Sequence, residues 1–218
     1  MTDSPVDLAI ALAPRRAHPA LMALFALDAR LADIVASTSE PLIGQLRLAW
    51  WREALVRLDT SPAPAEPVLR DLARLVLPHG VTGAELAAMT EGWEAVLMGQ
   101  LPDQATLTDY ATQRGAVLFG AAARMLGTDP TARMTAAGRG WALAALCRHG
   151  SDASVVDLAR RCADAAFDET FAGFWPRAER PLGILAMLAA RDLVTSRDLA
   201  RRWPTATAFI RFRLIGRR

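Results

Sequence analysis

The chain has 218 residues, of which 52% are hydrophobic, and its formal net charge at pH 7 is only +2. This length suits one large domain with a generous core, and no apolar run approaches the roughly 18 residues of a membrane span. The N-terminal segment is acidic before its short apolar run, which argues against a signal peptide or an anchor. We therefore expect a cytoplasmic protein. All 25 basic residues are arginines, and this bias makes any single arginine weak evidence for phosphate binding.

Residue types that often carry chemistry are sparse and scattered. Cys147 and Cys162 have no metal-like spacing, which suggests structural thiols in a reducing compartment. The three histidines lie near predicted helix ends, where surface or capping roles are favoured over catalysis. No nucleophile–base motif or phosphate-cradling glycine loop appears. The six tryptophans are expected in the core, so a nucleic-acid partner is not expected.

Apolar periodicity predicts helix after helix, with no convincing strand-like alternation. The prediction is an all-α protein folded as a single helical bundle over 1–218. Thr82 to Glu85 form a capping box that starts one helix, and Thr106 to Asp109 give a similar signal for the next. In chain order, helices are predicted at about 18–37, 39–58, 68–77, 82–101, 106–127, 132–149, 154–174, 181–192 and 196–203.

We expect the rest of the chain to be organised around the helix predicted from Ser39 to Leu58, with Ser39 as its N-cap. Its apolar side chains sweep most of the helical circumference, so we expect burial on several sides. Arg47 lies within that sweep. It should be paired with an acid, stacked on an indole or directed into an anion-holding cavity, and a structural ion pair is about as well supported as a site.

Two glycines interrupt the helix predicted at 106–127. Gly115 and Gly120 each cost about 1 kcal/mol relative to alanine inside a helix. We therefore expect them to allow the close approach of a neighbouring helix or a ligand.

Several segments resemble the squalene/phytoene synthase family. FALDARLADIVAST followed by SEPLIGQLRLAWWREAL resembles the start of that family, and LTDYATQRGAVLFGAAARMLG is similar to its tyrosine-containing helix. GRGWALAALCRHG lies where the second aspartate-rich helix should be, and RPLGILAMLAAR continues the likeness weakly. The resemblance implies the all-α isoprenoid synthase fold. It also implies head-to-head prenyl transfer, in which two aspartate-rich motifs hold Mg²⁺ against a substrate diphosphate.

Both aspartate-rich motifs are degenerate in this sequence. Over Ala32 to Ala36, only Asp33 remains of three carboxylates, and one aspartate cannot cluster Mg²⁺ ions on a diphosphate. At the second motif Arg148 is retained, but His149 and Gly150 follow it, and Asp152 lies beyond that break. We therefore expect no metal and no cofactor, with Mg²⁺ relevant only if the protein is active.

One pair of acids elsewhere could in principle replace the lost ligands. Asp164 and Asp168 stand at i and i+4 of a predicted helix. They follow the second motif in chain order, and we interpret them as a solvated helix face rather than a relocated metal site.

The resemblance also predicts a site. Asp33, at the first motif position, should flank a central cavity together with Arg47, Tyr110, Arg114 and Arg148. An apolar cavity lined by arginines and lacking metal fits a lipid-like or prenyl ligand.

The run PLIGQLRLAWWRE is most similar to the branch of the family that includes a mitochondrial respiratory complex I assembly factor. The preferred hypothesis is therefore a noncatalytic protein, acting in assembly of a respiratory complex or binding a lipid or prenyl compound. An active prenyl transferase that condenses polyprenyl diphosphates in isoprenoid biosynthesis is the alternative from the enzyme class. A helical protein-interaction module is the third hypothesis.

The last residues form a basic apolar tail at about 204–218. From Arg201 to Arg218 the chain has six arginines and no acid, with aromatic and aliphatic residues between them. Such a tail suits an anionic membrane surface or a respiratory complex subunit, and implies a location peripheral to the inner membrane. A final helix packed on the bundle is the slightly favoured alternative.

Overall fold

The structure is a computed structural model that describes residues 4–194, 212, 213, 215 and 216. Over these residues it contains helices, turns and loops but no strand, which confirms the all-α prediction. The buried apolar side chains form one contiguous core cluster. The helices are α1 (Pro5–Leu12), α2 (His18–Ala36), α3 (Pro41–Arg57), α4 (Pro67–Asp71), α5 (Gly83–Leu97), α6 (Gln104–Ala111), α7 (Val117–Met125), α8 (Ala132–His149), α9 (Ala153–Phe171) and α10 (Arg180–Leu193).

Two helices continue through turns that are not α-helical. A π-helical turn, Leu72–Val76, and a 3₁₀ turn, Leu77–His79, extend α4. A second π-helical turn, Thr112–Ala116, joins α6 to α7 without a break. A π-helical turn holds one more residue than an α-helical turn, so it re-aims the side chains that it carries.

Helix starts follow local capping chemistry. The Thr82–Glu85 capping box is confirmed, because Thr82 caps α5 and both reciprocal bonds form. The start predicted near Thr106 is two residues late, since Asp103 is the N-cap of α6 and exchanges hydrogen bonds with Thr106. Helix α1 was not predicted, although Ser4 and Asp7 form a capping box in front of it. The helix predicted at 196–203 lies outside the described residues.

Helix α8 lies at the centre of the bundle and packs on α9, α10, α7 and the Thr112–Ala116 turn. Eleven of its 18 residues are buried. The closest approach is at Gly115 and Gly138, where a Cβ on either glycine would overlap the other's carbonyl oxygen. The predicted role of Gly115 is therefore correct. Gly120 has no such contact, because the nearest atoms to a Cβ there belong to Pro130 at 3.8 Å.

Helix α3 is peripheral, which corrects the expectation that it organises the chain and is buried on several sides. It packs mainly on α5 through Leu48, Trp51 and Leu55. Four large apolar residues remain exposed on its other side, with exposed fractions of 49% to 73%: Leu42, Ile43, Leu46 and Trp50. A helix with apolar residues all round suggests burial, but the described part of the chain covers only one side of α3. Its N-cap is Glu40, without a side-chain cap bond, and not Ser39.

The described part of the predicted tail packs on the bundle. Phe212 is fully buried, and its ring centroid lies 5.9 Å from that of Trp175 and 6.0 Å from that of Phe171. The backbone N–H of Trp175 donates to the carbonyl oxygen of Gly216 at 2.7 Å. The other positions of 204–218 lie outside the described residues. No helix in the described part of the chain combines the length and apolarity needed to cross a bilayer.

Candidate functional site

A buried ion pair lies between α2 and the π-helical turn Thr112–Ala116. The Arg114 guanidinium binds the Asp28 carboxylate through two hydrogen bonds, Nε to Oδ1 at 2.8 Å and Nη2 to Oδ2 at 2.9 Å. Their side chains are only 7% and 9% exposed. This paired geometry uses both carboxylate oxygens and is the strong form of an arginine–carboxylate contact.

Aromatic residues enclose the pair. The Arg114 guanidinium carbon lies 4.1 Å from the Trp93 ring centroid and 4.8 Å from that of Trp141. The Trp93 indole N–H donates to Asp28 Oδ1 at 3.1 Å, and Arg114 Nη1 donates to the Tyr110 hydroxyl at 2.7 Å. That hydroxyl in turn donates to a backbone carbonyl of α8 at 3.2 Å. We call Asp28, Trp93, Tyr110, Arg114 and Trp141 the Asp28–Arg114 cluster.

The sequence places both charges in the interior. Asp28 occupies the buried face of α2 together with Leu21, Leu24 and Leu31. Arg114 belongs to the π-helical turn, which is held against α8 at Gly115. Such turns are frequent at functional sites, because the extra residue displaces a side chain from the regular helical position. Here the displaced side chain is the cation of the buried pair.

Burial and the neighbouring polar groups shift the pKa of Arg114 in opposite directions. Burial alone would lower the pKa of the guanidinium, but the facing Asp28 carboxylate and Tyr110 hydroxyl outweigh it and raise that pKa. Burial also raises the pKa of Tyr110, against the opposing effect of the Arg114 charge. The cluster therefore keeps a charged arginine and a neutral phenol at physiological pH.

The predicted site residues do not meet at one cavity. Tyr110 and Arg114 belong to the cluster, whereas Asp33 is exposed on α2. Arg148 lies at the surface, where it binds Asp192 at 2.9 Å. Arg47 donates to the Thr38 hydroxyl at 3.2 Å. Within the described residues, Tyr110 and Arg114 therefore lie in a packed interior, where indoles contact the arginine, and not beside Asp33, Arg47 or Arg148. A cavity shared by all five side chains stays a prediction.

Among the described residues Arg47 forms no ion pair and is not stacked on an indole, which were two of its three predicted environments. It lines an open surface groove of about 380 Å³ with Arg30, Glu66 and the exposed apolar side of α3. The third predicted environment, an anion-holding cavity, stays a prediction. We call Leu42, Ile43, Leu46 and Trp50 the α3 face. The expectation that every tryptophan is a core residue is wrong for Trp50, which is 49% exposed.

The carboxylates present do not fit the magnesium sites that the resemblance implies. Asp33 stands alone between Ala32 and Ala36, and Asp152 caps α9 by accepting from the Ser154 and Val155 N–H groups at 2.8 and 3.3 Å. Within residues 4–194 and the short described piece near the C-terminus, no three His, Cys, Asp or Glu side chains group as metal ligands. Mg²⁺ needs oxygen ligands in near-octahedral geometry, and these isolated side chains do not supply them.

Comparison with known proteins identifies the family. The profile described as squalene/phytoene synthase matches residues 2–162, well over half of the chain. The chain belongs to the squalene/phytoene synthase family. The crystal structure of a dehydrosqualene synthase in complex with ligand is similar with a TM-score of 0.68 and 13% sequence identity. That match covers 92% of this chain and 83% of the synthase chain, and at this identity it shows the fold alone. No curated protein gives a significant match.

These findings confirm the predicted family and the isoprenoid synthase-type fold. Sequence reasoning missed the role of Asp28. The available signal was its position, since an acid on the apolar stripe of a helix needs a buried partner. Nothing in the local sequence pointed to Arg114 as that partner, because the two residues are 86 positions apart.

Both cysteines are free and partly buried. Burial raises the pKa of the Cys147 thiol and of the Cys162 thiol. At neutral pH both remain protonated and weakly nucleophilic, which agrees with the predicted structural role.

Proposed function

We propose that this chain is a noncatalytic squalene/phytoene synthase-like protein that acts by binding. Its role is in the assembly of a membrane respiratory complex, or in holding a lipid-like or prenyl molecule. The observation that carries the proposal is the Asp28–Arg114 cluster, an ion pair buried between two indoles in the interior of a synthase-type bundle.

The cluster resists reuse as a substrate site. Separating a buried pair by removing one partner costs about 3–5 kcal/mol, because the remaining charge is left without compensation. A diphosphate that recruited Arg114 would have to displace Asp28 and meet that carboxylate at close range. The two degenerate aspartate motifs support the same proposal, since they leave no set of ligands for Mg²⁺ at the motif positions.

The α3 face supports a binding role. Contiguous exposed apolar patches on a globular protein mark sites of contact with proteins or membranes. The four residues of this face recur at i, i+1, i+4 and i+8, so they lie on one side of the helix. They also belong to the segment that resembles the assembly-factor branch of the family.

An assay for turnover of prenyl diphosphates tests the proposal that the protein is noncatalytic. The protein is incubated with farnesyl or geranylgeranyl diphosphate and Mg²⁺, beside an active synthase as a positive control, and released pyrophosphate and lipid products are measured. We expect neither from the wild type, nor from an Ala32→Asp/Ala36→Asp variant that restores the first motif. A Mg²⁺-dependent product that disappears in Asp33→Asn would instead establish the active prenyl transferase.

Genetic complementation tests the proposed role in assembly of a respiratory complex. In a strain that lacks the protein we expect a deficit of assembled respiratory complex, measured on native gels. Wild-type protein should restore assembly, whereas a Leu46→Gln/Trp50→Gln variant of equal abundance should not. Full assembly without the protein would argue against this role and leave lipid or prenyl binding.

A further inference from the structure

A groove of about 910 Å³ lies between the C-terminal end of α1 and the N-terminal end of α10. Leu12, Pro14, Pro181 and Ile184 are among the apolar side chains that line it. Three arginines complete the polar side of the groove: Arg177, Arg180 and Arg213. The groove shares no residue with the Asp28–Arg114 cluster or with the α3 face.

The three arginines give the groove a positive charge, and no acidic residue is among the described residues that line it. Arg180 is positioned by two backbone carbonyls, since its Nε donates to Trp175 O at 3.2 Å and its Nη1 to Arg213 O at 2.9 Å. Arg177 and Arg213 are exposed, and neither pairs with an acid in the described part of the chain. The neighbouring acid Glu179 is 6% exposed and bound to Arg133 at 2.9 Å, so it does not offset this charge at the groove.

We propose that this α1–α10 groove binds an anionic phospholipid. The headgroup phosphate contacts the guanidinium groups, which present fork-like donors suited to phosphate oxygens. An acyl chain lies along Ala11, Leu12 and Pro14, which are the exposed or half-buried apolar residues of the lining on the α1 side. The inference goes beyond the proposed function, because it holds whether or not the protein turns over prenyl diphosphates.

Charge and shape together select the occupant. A free phosphate would satisfy Arg177 and Arg213 but make no contact with the apolar side of the groove, and an uncharged lipid would give these two exposed arginines no counter-charge. The volume of the groove falls within the range of about 300–1,000 Å³ that is common for small-molecule pockets. A molecule with one anionic and one aliphatic end matches both sides of the groove.

Vesicle binding by the full chain tests the proposal. Wild-type protein should co-sediment with phosphatidylcholine vesicles that contain phosphatidylglycerol, and not with pure phosphatidylcholine. The Arg177→Gln/Arg213→Gln variant should bind the anionic vesicles about 30-fold more weakly, because each arginine near an anionic surface adds about 1 kcal/mol. The matched control, Arg70→Gln/Arg161→Gln, removes the same charge from exposed positions outside the groove and should bind within about twofold of wild type.

A second pair of variants separates the groove from general surface charge. Ala11 lines the groove and is exposed, so Ala11→Glu places a carboxylate there without burying it, and Ala11→Gln is its neutral control of the same size. Only Ala11→Glu should weaken binding. Native mass spectrometry after removal of vesicles should find one phosphatidylglycerol retained by wild type, and soluble glycerophosphate should not compete for it.

Three results would overturn the proposal. Wild type that ignores anionic vesicles would mean that the groove is closed to lipid, for example by another segment of this chain. Equal weakening in Arg70→Gln/Arg161→Gln would reduce the effect to net charge. Competition by glycerophosphate as effective as that by phosphatidylglycerol would assign the arginines to a soluble anion.

Discussion

At the scale of single residues, Arg114 shows how an interior charge is accommodated. Its Nε and Nη2 donate to Asp28, its Nη1 donates to Tyr110, and its guanidinium carbon lies 4.1 and 4.8 Å from the Trp93 and Trp141 ring centroids. Each partner comes from a different helix, so Arg114 in the π-helical turn links α2, α5, α6 and α8. Its contribution to stability is a specific arrangement rather than a large net energy, because desolvation offsets most of the attraction.

Removing one member of the pair should destabilise the protein strongly. We expect Arg114→Met to lower the free energy of unfolding by about 3–5 kcal/mol, since the Asp28 carboxylate stays buried without its counter-charge. The double variant Asp28→Leu/Arg114→Met should recover most of that loss, because it leaves no buried charge. Urea unfolding measures both values.

A surface pair provides the control for this prediction. Arg148→Gln breaks the pair with Asp192, in which both side chains are 39–44% exposed, and should cost no more than about 1 kcal/mol. If Arg114→Met were as mild as Arg148→Gln, the buried pair would not hold the interior as we describe.

At the scale of helices, α3 places adjacent tryptophans in opposite environments. Trp51 is 3% exposed and belongs to the core, whereas Trp50 is 49% exposed on the α3 face. Their rings touch edge to face with centroids 5.6 Å apart. The helical rotation of about 100° per residue separates a packing residue from a surface residue.

Alanine substitution should separate these two roles. Trp51→Ala should cost about 3–5 kcal/mol of unfolding free energy, because it leaves a cavity against the core. Trp50→Ala should cost about 1 kcal/mol, mainly the edge-to-face contact. The same Trp50→Ala variant should fail to restore assembly of the respiratory complex in the complementation assay. Equal destabilisation by both substitutions would make the α3 face a structural surface.

The Glu85–Arg124 pair at the N-terminus of α5 predicts that the free energy of unfolding depends on pH. The Arg124 guanidinium lowers the pKa of Glu85, with further help from the Thr82 N–H and against a smaller effect of burial. A carboxyl whose pKa is depressed on folding stabilises the protein above its unfolded pKa, and this stabilisation is lost as pH falls through the folded value. The contribution of this cap should therefore be present at pH 7 and disappear in acid.

Arg124→Gln measures that contribution. At pH 7 it should lower the unfolding free energy by about 0.5–1 kcal/mol, a small value because the pair is partly exposed. As the pH falls through the lowered pKa of Glu85, the difference between variant and wild type should shrink and vanish, since Glu85 becomes protonated in both. A difference that persisted unchanged in acid would assign the effect to packing of the Arg124 stem instead.

At the scale of the whole molecule, residues near the two ends of the chain meet at α10. Helix α1 packs on α10, and Phe212 fills the space above Gly183, where a Cβ would clash with its ring. The described part of the tail is thereby integrated into the bundle. The membrane role predicted for the tail as a whole stays a prediction for its remaining positions.

Phe212→Ala tests how much the described part of the tail stabilises the bundle. We expect a loss of about 3–5 kcal/mol in unfolding free energy, because a fully buried ring is removed from contact with Trp175 and Phe171. Phe174→Ala is the control, since that ring is 47% exposed, and it should cost less than about 1 kcal/mol. A mild effect of Phe212→Ala would show that the tail contributes little to the bundle.

Local chemistry in the sequence was enough to predict most of the described helices, the family and the degenerate aspartate motifs. Apolar periodicity, the Thr82 capping box and the run of residues around Trp50 depend only on neighbours within a few turns. Gly115 was also correctly placed at a close helix contact, because glycine inside a helix has few other uses. Asp33 without its two companions is a fact of the sequence alone.

Only the tertiary structure decided which faces are covered and which charges meet. Helix α3 is apolar all round, and the sequence could not tell that α5 covers one side and leaves the α3 face exposed. The pairing of Asp28 with Arg114, and the grouping of Arg177 with Arg213, join residues distant along the chain. Periodicity within one helix carries no information on such contacts, because they depend on how separate helices pack.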